Sequence, residues 1–457
     1  MAVPPRGGRE ANERLRAVME AAGCSSTGLA RRVNACGAEQ GLDLRYDKTS
    51  VARWLQGQQP RGRAPDIIAE ALSRKLGRTV TVDDIGMSGA RGAAPTVGLR
   101  FEPTVAGALQ QACALWRSDT RYGNLATSAR LATSVLVQAS RDWLIAEPDL
   151  DVAIEGVPLV GPGDIAAVRA TTAAFTDLDH RFGSGSIRLV AVRYLDSVVS
   201  ELLAGPYRET TARSLFEAVA RLTELTASMT VDTGQFGLAQ RYYIQALRLA
   251  QAAGDRLLGG YVLASGMGHV ALQLGNASET VQLARVAREG TRQRITQVSR
   301  VVLYLTEARG HALLGEAAAC ERAVGQARDA LEGDDFDRQE RPDWASHIDH
   351  AYMAQELAHC YHDLGRPESA VRWIQEALRE DTPERPRRRV LRLLLLASAE
   401  LRLGEIERSC DTAAQALGLL RGIRSVQCTK RLEDFRSRLE ALGHHEEARN
   451  LQPQADY

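Results

Sequence analysis

Val51, Trp54 and Leu55 fall at i, i+3 and i+4, the spacing that sets three apolar side chains on one helix face. Asp47 stands before them as a cap, and Gly57 with Pro60 stops the run, which predicts a helix over 48–56. Three more helical patterns share the first 80 residues. Leu15, Val18 and Met19 line one face over 12–22, with Gly23 behind. A second helix starts at Ser25 or Ser26 and runs through Leu29, Ala30 and Val33. A fourth covers 66–76, with Ile67, Ile68, Ala71, Leu72 and Leu76 inward and Gly77 after it.

Apolar periodicity then lapses over 86–98, where Gly, Ala, Ser and Pro predominate, so this stretch reads as a flexible tether. Two helices follow within 103–143, one with a stripe of Leu109, Cys113 and Trp116, the other with Leu131, Val135 and Leu136. Residues 146–164 hold three prolines and three glycines and read as an irregular crossing. Asp164 is the expected cap of a helix that ends at Phe182-Gly183.

In the second half a small-residue pattern recurs. Gly234, Gly275, Gly315, Gly365, Gly404 and Gly443 are each followed five residues on by Ala239, Thr280, Cys320, Ala370, Ser409 and Ala448. Twelve residues after the first five stand Ala246, Ala287, Ala327, Ala377 and Ala416. The unit reads as a helical hairpin in which glycine turns the chain and small residues mark where the partner helix crosses. One hairpin cannot bury its own apolar face, so the copies must stack. The offsets of the glycine and the two alanines resemble those of the tetratricopeptide repeat, although the copies are 39 to 50 residues apart rather than roughly 34.

Composition narrows the class. With 457 residues, 15 prolines and 5% aromatics, the chain is expected to be all-α and to hold two or three domains. The seven cysteines show no C-x-x-C pair, which fits reduced thiols and small core positions. No apolar run approaches a membrane span and MAVPPRGGRE is not a signal segment, so the expected compartment is the cytoplasm. Net charge is zero, yet residues 1–80 carry 14 Lys and Arg against 8 Asp and Glu. A basic head on an acidic body points only the head at a polyanion.

The head resembles the Cro/lambda-repressor-like helix-turn-helix family of xenobiotic-response-element type. The likeness rests on Leu29-Ala30-Arg31-Arg32-Val33, on Thr49-Ser50-Val51-Ala52-Arg53-Trp54-Leu55-Gln56-Gly57 with Pro60, and on Ile68-Ala69-Glu70-Ala71-Leu72 with Leu76-Gly77. It implies that Lys48, Thr49, Ser50 and Arg53 face base edges, while Thr27 and Arg31, helped by Arg61 and Arg63, touch phosphates. The segment from Asn34 to Tyr46 departs from the family, being much longer than its tight turn. With 178–183 and 237–243, the head is also similar to actinobacterial regulators that join a helix-turn-helix to tetratricopeptide-like repeats. That likeness implies restraint of sporulation or antibiotic production.

Other chemistry is thin. Asp177, Asp179, His180 and Arg181 crowd one helix end without a nucleophile of known spacing, and they read as a helix terminus. His347, His350, His359 and His362 cluster in sequence, yet the outer two would lie about 22 Å apart on a helix and cannot share an ion. The run Arg385–Arg389 and the acidic stretch from Glu332 to Asp337 read as solvated connections. The expectation is a helix-turn-helix domain over 1–85, a linker over 86–98, a helical middle region over 99–212 that can begin the solenoid, and tetratricopeptide-like repeats over 213–457. The expected protein is not an enzyme and uses no cofactor or metal. It binds double-stranded DNA as a homodimer under the control of a peptide or protein on the concave repeat face. The alternative is a protein-interaction scaffold that does not bind DNA.

Overall fold

The computed structural model describes residues 11–39, 44–60, 64–78, 80–82, 84–87, 96–121, 133–157, 159–333, 341–381 and 385–452. The chain is all-α. Among these residues the β pairing amounts to one isolated bridge, Ile154 to Tyr207, inside the irregular crossing. Two compact units form, one up to Val97 and one from Gly98 onward, residues 121–129 excepted.

The head holds α1 (Glu13–Ala21), α2 (Ser26–Glu39), α3 (Lys48–Leu55) and α4 (Ala64–Leu76). The first three starts follow from their caps. Asn12 Oδ1 accepts the Leu15 N–H at 3.0 Å, Ser25 Oγ accepts the Gly28 N–H at 3.1 Å, and Asp47 Oδ1 accepts the Ser50 N–H at 2.8 Å. Helix α2 runs on to Glu39, so part of the long segment after Asn34 is helical rather than loop. Asn34 also fixes the approach to α3, its amide donating to the Tyr46 carbonyl and its oxygen accepting the Tyr46 N–H, both at 2.9 Å. Leu15, Leu29, Val33, Val51, Ile68 and Leu72 are fully buried together, and Tyr46 meets Trp54 edge to face at 5.0 Å. Val80, Ile85 and Met87 join this core. Most of the expected tether, 88–95, lies outside the described residues.

The second unit opens with α5 (Val105–Arg121), α6 (Thr133–Ile145), α7 (Pro162–Phe182) and α8 (Ser184–Tyr194). Asp164 does not cap α7 as expected; it sits in the first turn and reaches back to the Gly161 N–H at 2.8 Å. Six hairpins follow. They are α9 (Glu209–Asp232) with α10 (Phe236–Ala253); α11 (Arg256–Tyr261), continued by a π-turn into α12 (Gly268–Gln273), with α13 (Ala277–Thr291); α14 (Gln297–Leu313) with α15 (Ala317–Leu331); α16 (His350–Asp363) with α17 (Pro367–Arg379); α18 (Pro386–Arg402) with α19 (Ile406–Leu420); and α20 (Val426–Ala441) with α21 (His445–Asn450).

The six repeat glycines all take positive φ, between 71° and 91°, between the two helices of their hairpins. Each closes its helix in the same way. At the first, the Gly234 N–H donates to the Val231 carbonyl at 2.9 Å and the Gln235 N–H to the Thr230 carbonyl at 3.0 Å. The residues five on in all six copies and twelve on in the first five are buried to within 1% of full enclosure, as helices crossing at that point require.

The middle region packs into the repeats through Trp143. This fully buried ring sits against Gly259 and Gly290, with the Arg256 guanidinium 3.8 Å from its centroid. Arg248, also fully enclosed, grips the Asp149 carboxylate with both terminal nitrogens, at 2.8 and 2.9 Å.

The solenoid closes on itself. Beyond α7, the Arg424 N–H donates to the Phe182 carbonyl at 2.8 Å and the Gly185 N–H to the Arg424 carbonyl at 2.9 Å. A Cβ on Gly183 would stand 2.7 Å from the Arg424 oxygen, so only glycine admits this approach. Behind it, Arg387 joins Asp179 at 2.7 Å and Asp232 at 3.4 Å. Ser425 Oγ donates to Asp232 at 2.6 Å, and Ser184 Oγ to Asp179 at 2.5 Å.

Gly290→Ala should destabilise the protein by about 1–3 kcal/mol, because its Cβ would lie 2.3 Å from the Trp143 ring. Gly325→Ala, at a helical position with open space, should stabilise it by about 0.5–1 kcal/mol. Urea midpoints of the two variants check both signs.

Candidate functional site

Two surfaces gather functional side chains, one in each unit. On the head, burial of Val51 and Trp54 turns the opposite side of α3 outward, and Lys48, Thr49 and Arg53 are exposed there. Thr49 and Arg53 stand four apart on one stripe. Ser50 is half-buried and engaged, its Oγ donating to Asp47 Oδ1 at 2.9 Å in a capping box, so its hydroxyl serves the helix start. These hydrogen bonds, the Ser50 N–H foremost, hold the Asp47 carboxyl below its ordinary pKa, so it is ionised at neutral pH. Thr27 and Arg31 are exposed on one face of α2. Arg61 and Arg63 lie outside the described residues.

The repeat unit encloses a cavity of about 1270 Å3. Its wall comes mainly from α7 and the first helices of the six hairpins, joined by Tyr243 of α10 and by the connection 341–347 that holds Trp344 and His347. Much of the wall's charge is internally matched. Arg309 pairs with Glu356 at 2.8 Å, Arg169 with Glu217 at 2.5 Å, Arg221 with Glu224, and Arg387 with the two closing aspartates. An aromatic ledge interrupts it. Tyr261 stacks on Trp344 with centroids 4.6 Å apart, and His347 meets Tyr352 edge-on at 5.6 Å.

Three wall histidines are held neutral. Burial first, and nearby guanidinium groups second, lower His180 and His269 to about 4 and His347 to about 3. Of the four histidines close in sequence, His347 lies before α16 on the cavity wall, His350 opens that helix, and His362 turns to Asp363 at 3.3 Å. Among the described residues no three His, Cys, Asp or Glu side chains are grouped so as to hold a metal ion.

Two readings made from sequence need correction. Arg385–Arg389 is not a solvated connection: Pro386 opens α18, Arg387 is the closing cation, and Arg388 and Arg389 lie 3.6 and 3.8 Å from Asp381. Asp179 is likewise more than a polar helix end, being 3% exposed and bonded to Arg387 and Ser184. No local signal marked either residue, since the partners lie about two hundred positions apart; the Gly183-Ser184-Gly185 run was the one hint of a close approach. Trp344, which forms the ledge, carried no signal at all. Residues 334–340, including most of the acidic stretch, lie outside the described residues.

These features define an all-α protein built on tetratricopeptide-type hairpins, a repeat class with the capacity for protein interaction. Residues 351–382, the fourth hairpin, match the family model of the tetratricopeptide repeat. Residues 15–88 match the model of the SP15 N-terminal domain. The head therefore matches that family and not the Cro/lambda-repressor-like one its third-helix motif resembles. No curated protein matches the chain. Among the described residues no helix is long and apolar enough to cross a membrane.

The histidines set an acid limb of stability. Their folded pKa values lie below the ordinary 6.5, so as pH falls the unfolded chain takes up protons first. The stability they contribute is complete above about 6.5 and is lost between there and about 3–4. His269→Gln should flatten this part of the urea-midpoint profile relative to the parent; parallel profiles would exclude a buried neutral His269.

Proposed function

We propose that the protein is a sequence-specific DNA-binding transcriptional regulator controlled by a peptide or protein held in its repeat unit. The observation that carries this reading is the presentation of α3, a capped helix whose Val51 and Trp54 are buried and whose Lys48, Thr49 and Arg53 are free to meet base edges. Thr27 and Arg31 on α2 would contact phosphates, with Arg61 and Arg63 adding charge, and Ser50 would act chiefly by fixing the start of α3. The excess of cations in the first 80 residues supports a polyanionic partner. The protein acts as a homodimer in this reading, because two heads must meet half-sites about 34 Å apart for both to gain groove contacts. Repression of development or secondary metabolism is the direction that the regulator likeness implies.

The tetratricopeptide match also favours a second reading, a scaffold that docks a regulatory protein and ignores DNA. Selection of duplexes by the full-length protein separates the two. A regulator enriches one short, symmetric sequence, and Arg53→Ala then costs about 1–3 kcal/mol on that sequence with little change on random duplex. Arg31→Ala weakens both alike and lowers the salt slope by about one. A scaffold enriches nothing, and equal losses on both duplexes from Arg53→Ala would remove that residue from base reading.

A further inference from the structure

The cavity wall has spare donors. Trp344 is 4% exposed, yet its Nε1 finds no acceptor, and Arg309 Nε is buried without one. Among the described residues these are the wall's buried side-chain nitrogens and oxygens that lack a partner, and both are donors. Arg385, half-buried on the same wall, makes no ion pair among the described residues. His180 and His347 stand within electrostatic reach of Arg385 and of each other, and neither ring has a hydrogen-bond partner there. Beside them is the ledge of Tyr261 on Trp344. Buried donors left unmatched cost free energy, so such a surface is complementary to a ligand that brings acceptors and negative charge.

Size favours a peptide. Drug-sized ligands fill about 300–1,000 Å3, and this cavity is larger, with a wall drawn from every hairpin. We infer that the repeat unit is a receptor for an acidic peptide, whose carboxylate is bound by Arg385 with His180 and His347 and whose neighbouring aromatic side chain packs on the Tyr261–Trp344 ledge. The inference rests on the peptide-receptor reading above and specifies its chemistry. On binding, the carboxylate accepts from the Arg385 guanidinium and from the imidazole N–H groups of His180 and His347, and the spare indole N–H donates to a carbonyl oxygen of the ligand. Asp349 and Asp381 act on Arg385 only from beyond ion-pair distance, which leaves its guanidinium able to take a carboxylate.

The test uses the full-length protein, immobilised, and a pool of random hexapeptides read by sequencing of the retained fraction. Peptides carrying Asp or Glu next to an aromatic residue should be enriched about tenfold or more over neutral ones. Arg385→Gln should abolish that preference with the melting temperature unchanged, and Trp344→Phe, which keeps an aromatic ring and removes the N–H, should reduce it. Retention of peptides without an acidic preference, or a preference that survives Arg385→Gln, overturns the inference and leaves a peptide receptor standing. Retention of no peptide at all overturns both.

Discussion

One half-buried guanidinium shared by two buried carboxylates holds the repeat unit in its closed form. Arg387 bridges Asp179 at the end of α7 and Asp232 at the end of α9, and these carboxylates are only 3% and 2% exposed. Burial raises the Asp179 pKa and Arg387 works against the rise, because a second anion beside Asp232 with one cation between them would leave uncompensated charge away from water. Hydroxyl donors from Ser184 and Ser425 offset it, and so does the Ser184 N–H at 3.3 Å from Asp232. Burial works against the charge on Arg387, but the two aspartates outweigh it and keep its pKa above the ordinary arginine value. The cluster fastens α7 to the fifth and sixth hairpins, and so sets α7 beside the first helices of the hairpins in the cavity wall.

The repeat itself was legible because its constraints are local. A left-handed turn admits glycine and little else, and a helix crossing admits only small side chains, so both leave a mark at fixed offsets. The helices of the head were legible for the same reason, Ser25 and Asp47 capping the helices they precede, whereas its family was not, since the third-helix motif resembles a different one. The closure and the cavity were not. Their members come from positions far apart, and a run such as Arg385–Arg389 has the composition of a solvated loop whether or not one of its cations is buried. Ser50 shows the same limit at short range: its spacing fits base reading, but the capping box takes its hydroxyl.

The arginines of the second unit have a structural role of their own. Much of its arginine is internal and acts as cross-links between elements. Arg248 ties α10 to Asp149, Arg188 joins Asp119 and Thr230, and Arg392 reaches Asp381, Gln355 and two backbone carbonyls. A planar, always-charged side chain with five donors can satisfy several buried acceptors at once, which lysine cannot. The chain holds few lysines, and exposed cations stand on all four helices of the head, Arg16, Arg31, Arg53 and Lys75 among them.

The central claim is that the Arg387 cluster keeps the solenoid closed. Amide hydrogen exchange at Gly185 and Arg424, whose N–H groups form the closing backbone bonds, tests it directly in Arg387→Met against the parent. Removing one partner of a buried charge cluster costs about 3–5 kcal/mol, so both amides should exchange about a hundredfold faster or more. The α9–α10 hairpin should keep its protection. Unchanged protection at Gly185 and Arg424 in the variant would contradict the account.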